Sequence, residues 1–434
     1  MSMALPELPE QIRETVTAQG AVVLTEFLPH VASAAIGVWV ARGSRHEAPS
    51  EAGLTHFLEH MVFKGTARRS ARQIAEELDA VGGMIDAGTS REYTSFFARL
   101  LSEHIPLACD MLCDMLLNSR FRDEDIRLEQ GVVLDEIRAS EDEPGEVIME
   151  QLMETLFGAD PVARPVLGRK EVIRATGHDI VRNYRDRYYS SDRILIAAAG
   201  QVDHDRLAEL MGPLIEGLAR TAVPAAASAP EARSRFRVTI REQEQAHLAL
   251  AAPALPFGHP DRFVLAALNN LLGGTASSRL FQEIREQRGL AYGAASWVEA
   301  YRDMGLVGVH TAMDPKRFRE TAAVVGDILR DLASGGVTDA EAIRARDQMK
   351  GSLFLGLEST YGRMARLATS KLYLGEVTPL REIMRMVEAI TPERVRDMAR
   401  RLLAPERFAV AVLGPGSVSD YRVDWVRVPE YAAA

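Results

Sequence analysis

The chain has 434 residues, too many for one ordinary hydrophobic core, and its length suggests roughly two or three domains. Apolar content of 47% and charged content of 26% fit a soluble globular protein, and the net charge of −10 argues against a nucleic-acid binder. Two cysteines exclude a disulfide scaffold and point to a reducing compartment, while residues 1–20 read as neither a signal nor a transit peptide and no apolar run is long enough to cross a bilayer.

Residues 21–28 and 33–42 read as strands, rich in Val, Ile and Ala. A helix is expected from Leu54, stopping at Gly65. Ser70 and Gln73 form a capping-box pattern before Ile74, and Gly82-Gly83 ends that helix. Residues 84–100 read as a hairpin or two strands. Helices follow near 104–118, 123–140, 145–157 and 178–187, then a strand at 193–199 and a helix near 204–217. Thr221 to Ser234, rich in Ala, Pro and Ser, reads as an exposed linker between domains at 1–220 and 235–434. Beyond it, strands fall near 236–241, 245–252, 291–299 and 304–311. Helices there begin at caps such as Thr338 with Glu341, Thr378-Pro379 and Thr391-Pro392. Strands grouped with packed helices, without strict βαβ alternation, indicate an α+β fold with a mostly antiparallel sheet in each half.

The halves look like a diverged repeat. The strand Arg193-Ile-Leu-Ile-Ala-Ala-Ala-Gly200 resembles Arg407-Phe-Ala-Val-Ala-Val-Leu-Gly414, and charged helices open at Asp123 and at Asp339. At that offset the second half has Leu272 and Ala276 where the first has His56 and His60, and Ser352 where the first has Glu136. One half is equipped for chemistry and the other is not.

The equipment is the stretch Thr55-His56-Phe57-Leu58-Glu59-His60-Met61. Two imidazoles four apart on a helix project from one face and can bind one metal ion. Neutral imidazoles suit zinc, whose catalytic sites take three protein ligands. Glu59 lies on the same face, placed to take a proton from a water made acidic by the metal. His-x-x-Glu-His is the reverse of the commoner zinc-peptidase motif and is itself a signature of that chemistry. A third ligand must come from elsewhere. Glu129 and Glu136, seven apart, share one helical face, which by itself reads as a solvated charged surface.

Here the chain resembles the pitrilysin/insulinase peptidases, most closely their shorter relatives of the mitochondrial processing peptidase type. In that family the motif is completed by a Glu inside a Glu-x6-Glu helix, and Glu136 stands 76 residues after His60, at the matching place. The resemblance implies one zinc per chain held by His56, His60 and Glu136, Glu59 as general base, and Glu129 as a supporting acid. It runs from Val31-Ala-Ser-Ala-Ala-Ile-Gly-Val-Trp39 to the last strand and includes Gly43-Ser-Arg-His-Glu47 and Arg164-Pro-Val-Leu-Gly168. It also includes Gly273-Gly-Thr-Ala-Ser-Ser-Arg-Leu-Phe281, followed by Arg285 and Tyr292. These last two match the pair that contacts substrate and oxyanion, a role that a cation and a phenol donor suit. The family closes two halves like a clamshell, and this chain is one half long. The resemblance therefore implies a dimer, either of identical chains or with an inactive relative, in which Arg285 and Tyr292 serve the partner's zinc.

Met84-Ile-Asp-Ala-Gly-Thr-Ser90 aligns with the family's substrate-binding edge strand, where a peptide adds as an extra strand. Asp86, Ala87 and Gly88 are the matching positions. Asp86 replaces the usual Asn and offers acceptors only, and Gly88 replaces an aromatic or simply marks a bulge. Glu146 and Glu150 match acidic positions that read a basic substrate residue, or else belong to a solvated acidic helix. Cys109 and Cys113 fall in an apolar helical stripe and read as core. Trp39 and Trp297 fit strand cores. The expected protein is a zinc endopeptidase for short or unfolded polypeptides, in a bacterial cytoplasm. The rival is a silent assembly subunit, against which the complete motif argues.

Overall fold

Apolar, β-branched segments form the sheets, and amphipathic segments cover them. The computed structural model describes residues 10–220, 229–233, 235–416, 423 and 425. Strands β1 (Ile12–Val16), β2 (Val22–Phe27), β3 (Ser33–Val40), β4 (Met84–Thr89), β5 (Thr94–Leu101) and β6 (Ile194–Gly200) form one sheet in the order β1-β2-β6-β3-β5-β4. Strands β7 (Phe236–Ile240), β8 (Ala246–Ala254), β9 (Ala291–Ala300), β10 (Gly305–Met313) and β11 (Ala409–Gly414) form a second, ordered β7-β11-β8-β10-β9. Apart from β1, the two orders correspond strand for strand. Each has one parallel pair, β2 with β6 and β7 with β11, in an otherwise antiparallel sheet. The repeat in the sequence is thus a repeat of topology, and the fold is α+β as expected.

The first helices are α1 (Leu54–Val62), α2 (Ala71–Asp79), α3 (Ile105–Asn118), α4 (Asp123–Asp142), α5 (Pro144–Phe157), α6 (Lys170–Ala175), α7 (His178–Tyr188) and α8 (His204–Gly217). They are followed by α9 (Arg262–Asn269), α10 (Phe318–Ala333), α11 (Asp339–Gly356), α12 (Thr360–Leu374), α13 (Leu380–Glu388) and α14 (Pro392–Leu402). Capping chemistry fixes several starts. Ser70 and Gln73 form the expected capping box at α2, and Thr338 pairs with Glu341 at α11. The Thr391 side chain accepts from the Arg394 N–H at α14. The helix after Thr378-Pro379 begins at Leu380, whose N–H donates to a Glu10 carboxylate oxygen.

The described residues group into two compact units. The first takes those within Met1–Ile137, Pro165–Ala227 and Phe354–Arg381, and the second those within Arg138–Arg164, Ser228–Leu353 and Glu382–Ala434. Neither unit is a continuous half of the chain. The crossings fall at Ile137 and Leu353, the same offset that separates Asp123 from Asp339.

In the first unit, helices α1, α2, α3, α7 and α8 bury Phe57, Met61, Leu78, Leu112, Tyr184 and Met211 against one face of the sheet. The opposite face, Leu24, Ala35, Trp39, Leu195 and Ala197, is covered by Met364, Leu367 and Ala368 of α12. Arg363 pairs with Glu26, which is fully buried, and so fastens α12 to β2. Cys109 and Cys113 are buried in this core, where burial pushes the Cys113 thiol up to about 11 and leaves it unreactive. In the second unit, Ile148, Leu152 and Leu156 of α5 pack on Ala249, Ala251 and Ala411. Of the expected linker, 221–228 and 234 lie outside the described residues. Residues 84–100 form two antiparallel strands, and their register runs unbroken from Met84 opposite Arg99 to Thr89 opposite Thr94. Gly88 therefore marks no bulge. β4 is the last strand of its sheet.

Candidate metal centre

A nine-residue helix does not hold itself together in water, so α1 depends on its surroundings. Gly53 precedes it at φ +102°, and a Cβ there would sit 2.8 Å from the Leu167 carbonyl oxygen. The buried Glu47 carboxylate accepts from the N–H groups of Gly53 at 2.9 Å and Thr55 at 2.7 Å, capping the helix from outside. The Thr55 hydroxyl is bonded to the Tyr184 hydroxyl at 2.7 Å, tying the first turn to α7. Leu54, Phe57, Leu58, Met61 and Val62 are buried, which leaves His56, Glu59 and His60 on the other face. Glu129 and Glu136 lie two turns apart on α4.

His56, His60 and Glu136 come together. Their nearest ligand atoms all lie within 4.8 Å of one another, the one such group of three among the described residues. The two Nε2 atoms are 3.2 Å apart, and each lies 3.8 Å from Glu136 Oε2. A tetrahedral ion with bonds of about 2.0–2.1 Å sets its donors roughly 3.3 Å apart. The triangle therefore fits zinc, and the donor set of two imidazoles and a carboxylate suits it. Burial, with the neighbouring His60, pushes His56 down to about 4, so its ring is neutral and its lone pair free at neutral pH.

Glu129 turns outward from this triangle. Its Oε1 accepts from His60 Nδ1 at 2.7 Å, and its Oε2 pairs with the Lys64 ammonium. Burial alone would raise the Glu129 carboxyl, but bonds from His60 and Lys64 hold it below the ordinary value. For His60, burial lowers the imidazole, and the bond and charge of Glu129, with Glu59 and Glu136, carry it above its ordinary value. A His60 ring that gives its Nδ1 proton to a carboxylate presents Nε2 to a metal. The Glu59 Oε2 accepts from the Thr89 hydroxyl of β4 at 2.7 Å, and burial raises its carboxyl against that bond. Asp86, one face over on the same strand, is exposed and accepts from the Ala87 N–H at 2.8 Å. Gly88 has open space where a Cβ would point.

Residues 22–170 match the family described as insulinase (peptidase family M16), and residues 177–349 match the peptidase M16 inactive domain. A Mycobacterium tuberculosis protein named as a zinc protease is 39% identical over 408 residues, 93% of this chain and 93% of its own length. The chain belongs to the M16 (insulinase) peptidase family. The Bacillus subtilis zinc protease YmxG is 37% identical, over 91% of this chain and 96% of its own. Among solved structures, a protease from Helicobacter pylori superposes with a TM-score of 0.86 at 20% identity, covering 94% of this chain and 100% of that one, a likeness of fold. M16 membership bears out the resemblance read from the motifs and supports a zinc-peptidase-like function. No helix among the described residues is long and apolar enough to cross a membrane.

The remaining M16 positions read from the sequence lie in the second unit. Tyr292, at the start of β9, is 82% exposed, and the Arg285 guanidinium stacks 4.6 Å from its ring centroid. Glu146 and Glu150 lie one turn apart on α5, the first exposed and the second half-buried. Trp39 is buried on β3 as expected, and Trp297 lies half-buried on β9. Three contributors escaped sequence reasoning: Glu47 beneath α1, Lys64 behind Glu129, and the Thr89 hydroxyl on Glu59. Spacing signals neighbours within one helix, whereas each of these reaches the site from another element or from a turn.

Proposed function

We propose that this M16 chain is a zinc endopeptidase in which Glu59 is the general base. One observation carries the reading: a carboxylate lifted by burial and held by Thr89 sits on the same helix face as two ligand histidines that meet Glu136. Zinc, when bound by His56, His60 and Glu136, supplies the Lewis acidity that polarises a scissile carbonyl and makes a water acidic near neutral pH. Glu59 takes the proton of the attacking water and passes it to the leaving amine, and its raised pKa suits both transfers. Glu129 keeps the His60 ring oriented and moves no proton in the reaction. Exposed Tyr292, with half-buried Arg285 stacked on its ring, stabilises the oxyanion from a partner copy. The substrate adds along the edge of β4 past Asp86, Ala87 and Gly88 in extended form, which favours short or unfolded polypeptides. Glu146 and Glu150 favour a basic residue in it.

The test is cleavage of an internally quenched, unstructured basic peptide by the purified protein beside Glu59→Gln. Activity in the wild type, lost by at least about 1,000-fold in zinc-loaded Glu59→Gln, is expected. An active Glu59→Gln enzyme overturns the assignment of the base. Zinc-loaded wild type without activity shifts the function to an assembly subunit or to one member of a pair with a related chain.

A further inference from the structure

The two ligand histidines are supported unequally. His56 Nδ1 is buried with no partner among the described residues, so no acceptor behind the ring fixes it. His60 Nδ1 meets Glu129, whose side chain is only 3% exposed and whose other oxygen faces Lys64. The order is Lys64, Glu129, His60, metal position, a chain of three charged or polar groups ending at one ligand atom.

Lys64 is held where it can close that chain. It follows the end of α1, and its N–H donates to the Met61 carbonyl at 3.2 Å. Gly65 comes next at φ +114°, a left-handed conformation that turns the backbone sharply. The Thr66 hydroxyl then donates to the buried Asp114 of α3 at 2.7 Å, anchoring the turn. The Lys64 side chain is therefore delivered from a fixed turn, with 34% of it still in solvent.

We propose that Lys64 is a positioning residue of the metal centre: it clamps Glu129 against His60 and so sets the affinity of the site for zinc. A buried carboxylate with two partners on opposite oxygens has one orientation, and removing the ammonium frees it to turn away from the imidazole. His60 then loses the acceptor that fixes its ring and tautomer. Because His56 has no such support, the site depends on this one relay. Outer partners of this kind change metal affinity by about 10- to 100-fold. The inference rests on the triad binding zinc and is independent of peptidase turnover.

Zinc affinity of the metal-stripped full chain is measured by competition with a chromophoric chelator, for wild type, Lys64→Met, Lys64→Arg, Glu129→Gln and the Lys64→Met/Glu129→Gln pair. Lys64→Met is expected to weaken zinc binding by at least about 10-fold, and Lys64→Arg by much less. In the Glu129→Gln background, Lys64→Met is expected to add little, because the relay is already cut. Wild-type affinity in Lys64→Met overturns the proposal. So does an effect of Lys64→Met that persists undiminished beside Glu129→Gln, which would mark general structural damage. Wild type that binds no zinc removes the metal reading itself, a result distinct from either.

Discussion

A carboxylate that takes and returns a proton must be aimed as well as tuned. In its proposed role as general base, Glu59 is aimed by a neutral donor, the Thr89 hydroxyl at 2.7 Å, which spends one lone pair of Oε2. A hydrogen bond to a charged group is worth about 1.5–3 kcal/mol, and only part of that reaches the transition state. Thr89→Val should therefore lower kcat about 10-fold while leaving KM and zinc content near wild type, and Thr89→Ser should restore most of the loss. Steady-state kinetics with metal analysis decide it, and a Thr89→Val enzyme with unchanged kcat removes Thr89 from the site. The residue scale is also where sequence reading was strongest. The spacing of His56, Glu59 and His60 announces three groups on one helix face, and Glu129 and Glu136 announce another. The pairing of those faces came from the family resemblance. Asp86 and Gly88 stood out against the family pattern, and the structure shows each accommodated without distortion of β4.

At the scale of elements, α1 carries His56, Glu59 and His60 but borrows its stability. Its outside cap, Glu47, is a buried carboxylate whose pKa burial raises to about 7, with the Thr55 and Gly53 N–H bonds opposing. The folded protein then binds this proton more tightly than the unfolded chain, whose ordinary value is 4.5. Such a group favours folding most below about pH 4.5 and loses that contribution as pH rises through about 7, a change on the order of 3 kcal/mol. Glu47→Gln cannot ionise. The stability of wild type relative to Glu47→Gln should therefore fall between pH 5 and about pH 8 in denaturant melts. A difference that stays flat, or grows with pH, would mean that the helix N-terminus outweighs burial at this carboxylate. Caps were legible because Ser70 with Gln73 and Thr338 with Glu341 act over one turn. Glu47 was not, because it caps from a separate segment. β1 was missed for another reason: Arg13 to Val16 are exposed, so its polar sequence carries no burial pattern. The exchange of α5 and α12 between the units was equally hidden. An amphipathic stripe states that a helix buries one face, and does not state against which sheet.

At the scale of the whole molecule, the topology is duplicated but the His56, His60 and Glu136 cluster lies in one copy. The first unit holds the triad, whereas the second has Leu272, Ala276 and Ser352 at the matching offset. The second unit instead offers Tyr292, whose ring is more exposed than any other large hydrophobic side chain noted among the described residues, with Arg285 stacked on it. An exposed aromatic with a stacked cation is costly to leave unused and suits a contact made only with substrate or a partner. If the pair serves the zinc of a second copy in a closed two-fold dimer, lesions in the two units must complement. Glu59→Gln spoils the base of its own chain, and Tyr292→Phe spoils the site of its neighbour. In a mixed dimer one site then carries both lesions and the other carries neither. After subunit exchange of the two inactive variants at equal concentration, half the dimers are mixed and half of their sites intact, so about one quarter of wild-type activity should return. Peptide cleavage before and after mixing measures it, with sedimentation to establish the dimer. Recovery requires that Tyr292 act across the interface. If mixing restores nothing although subunits exchange, Tyr292 serves its own chain, and the shared-chamber arrangement falls while the assignment of Glu59 stands.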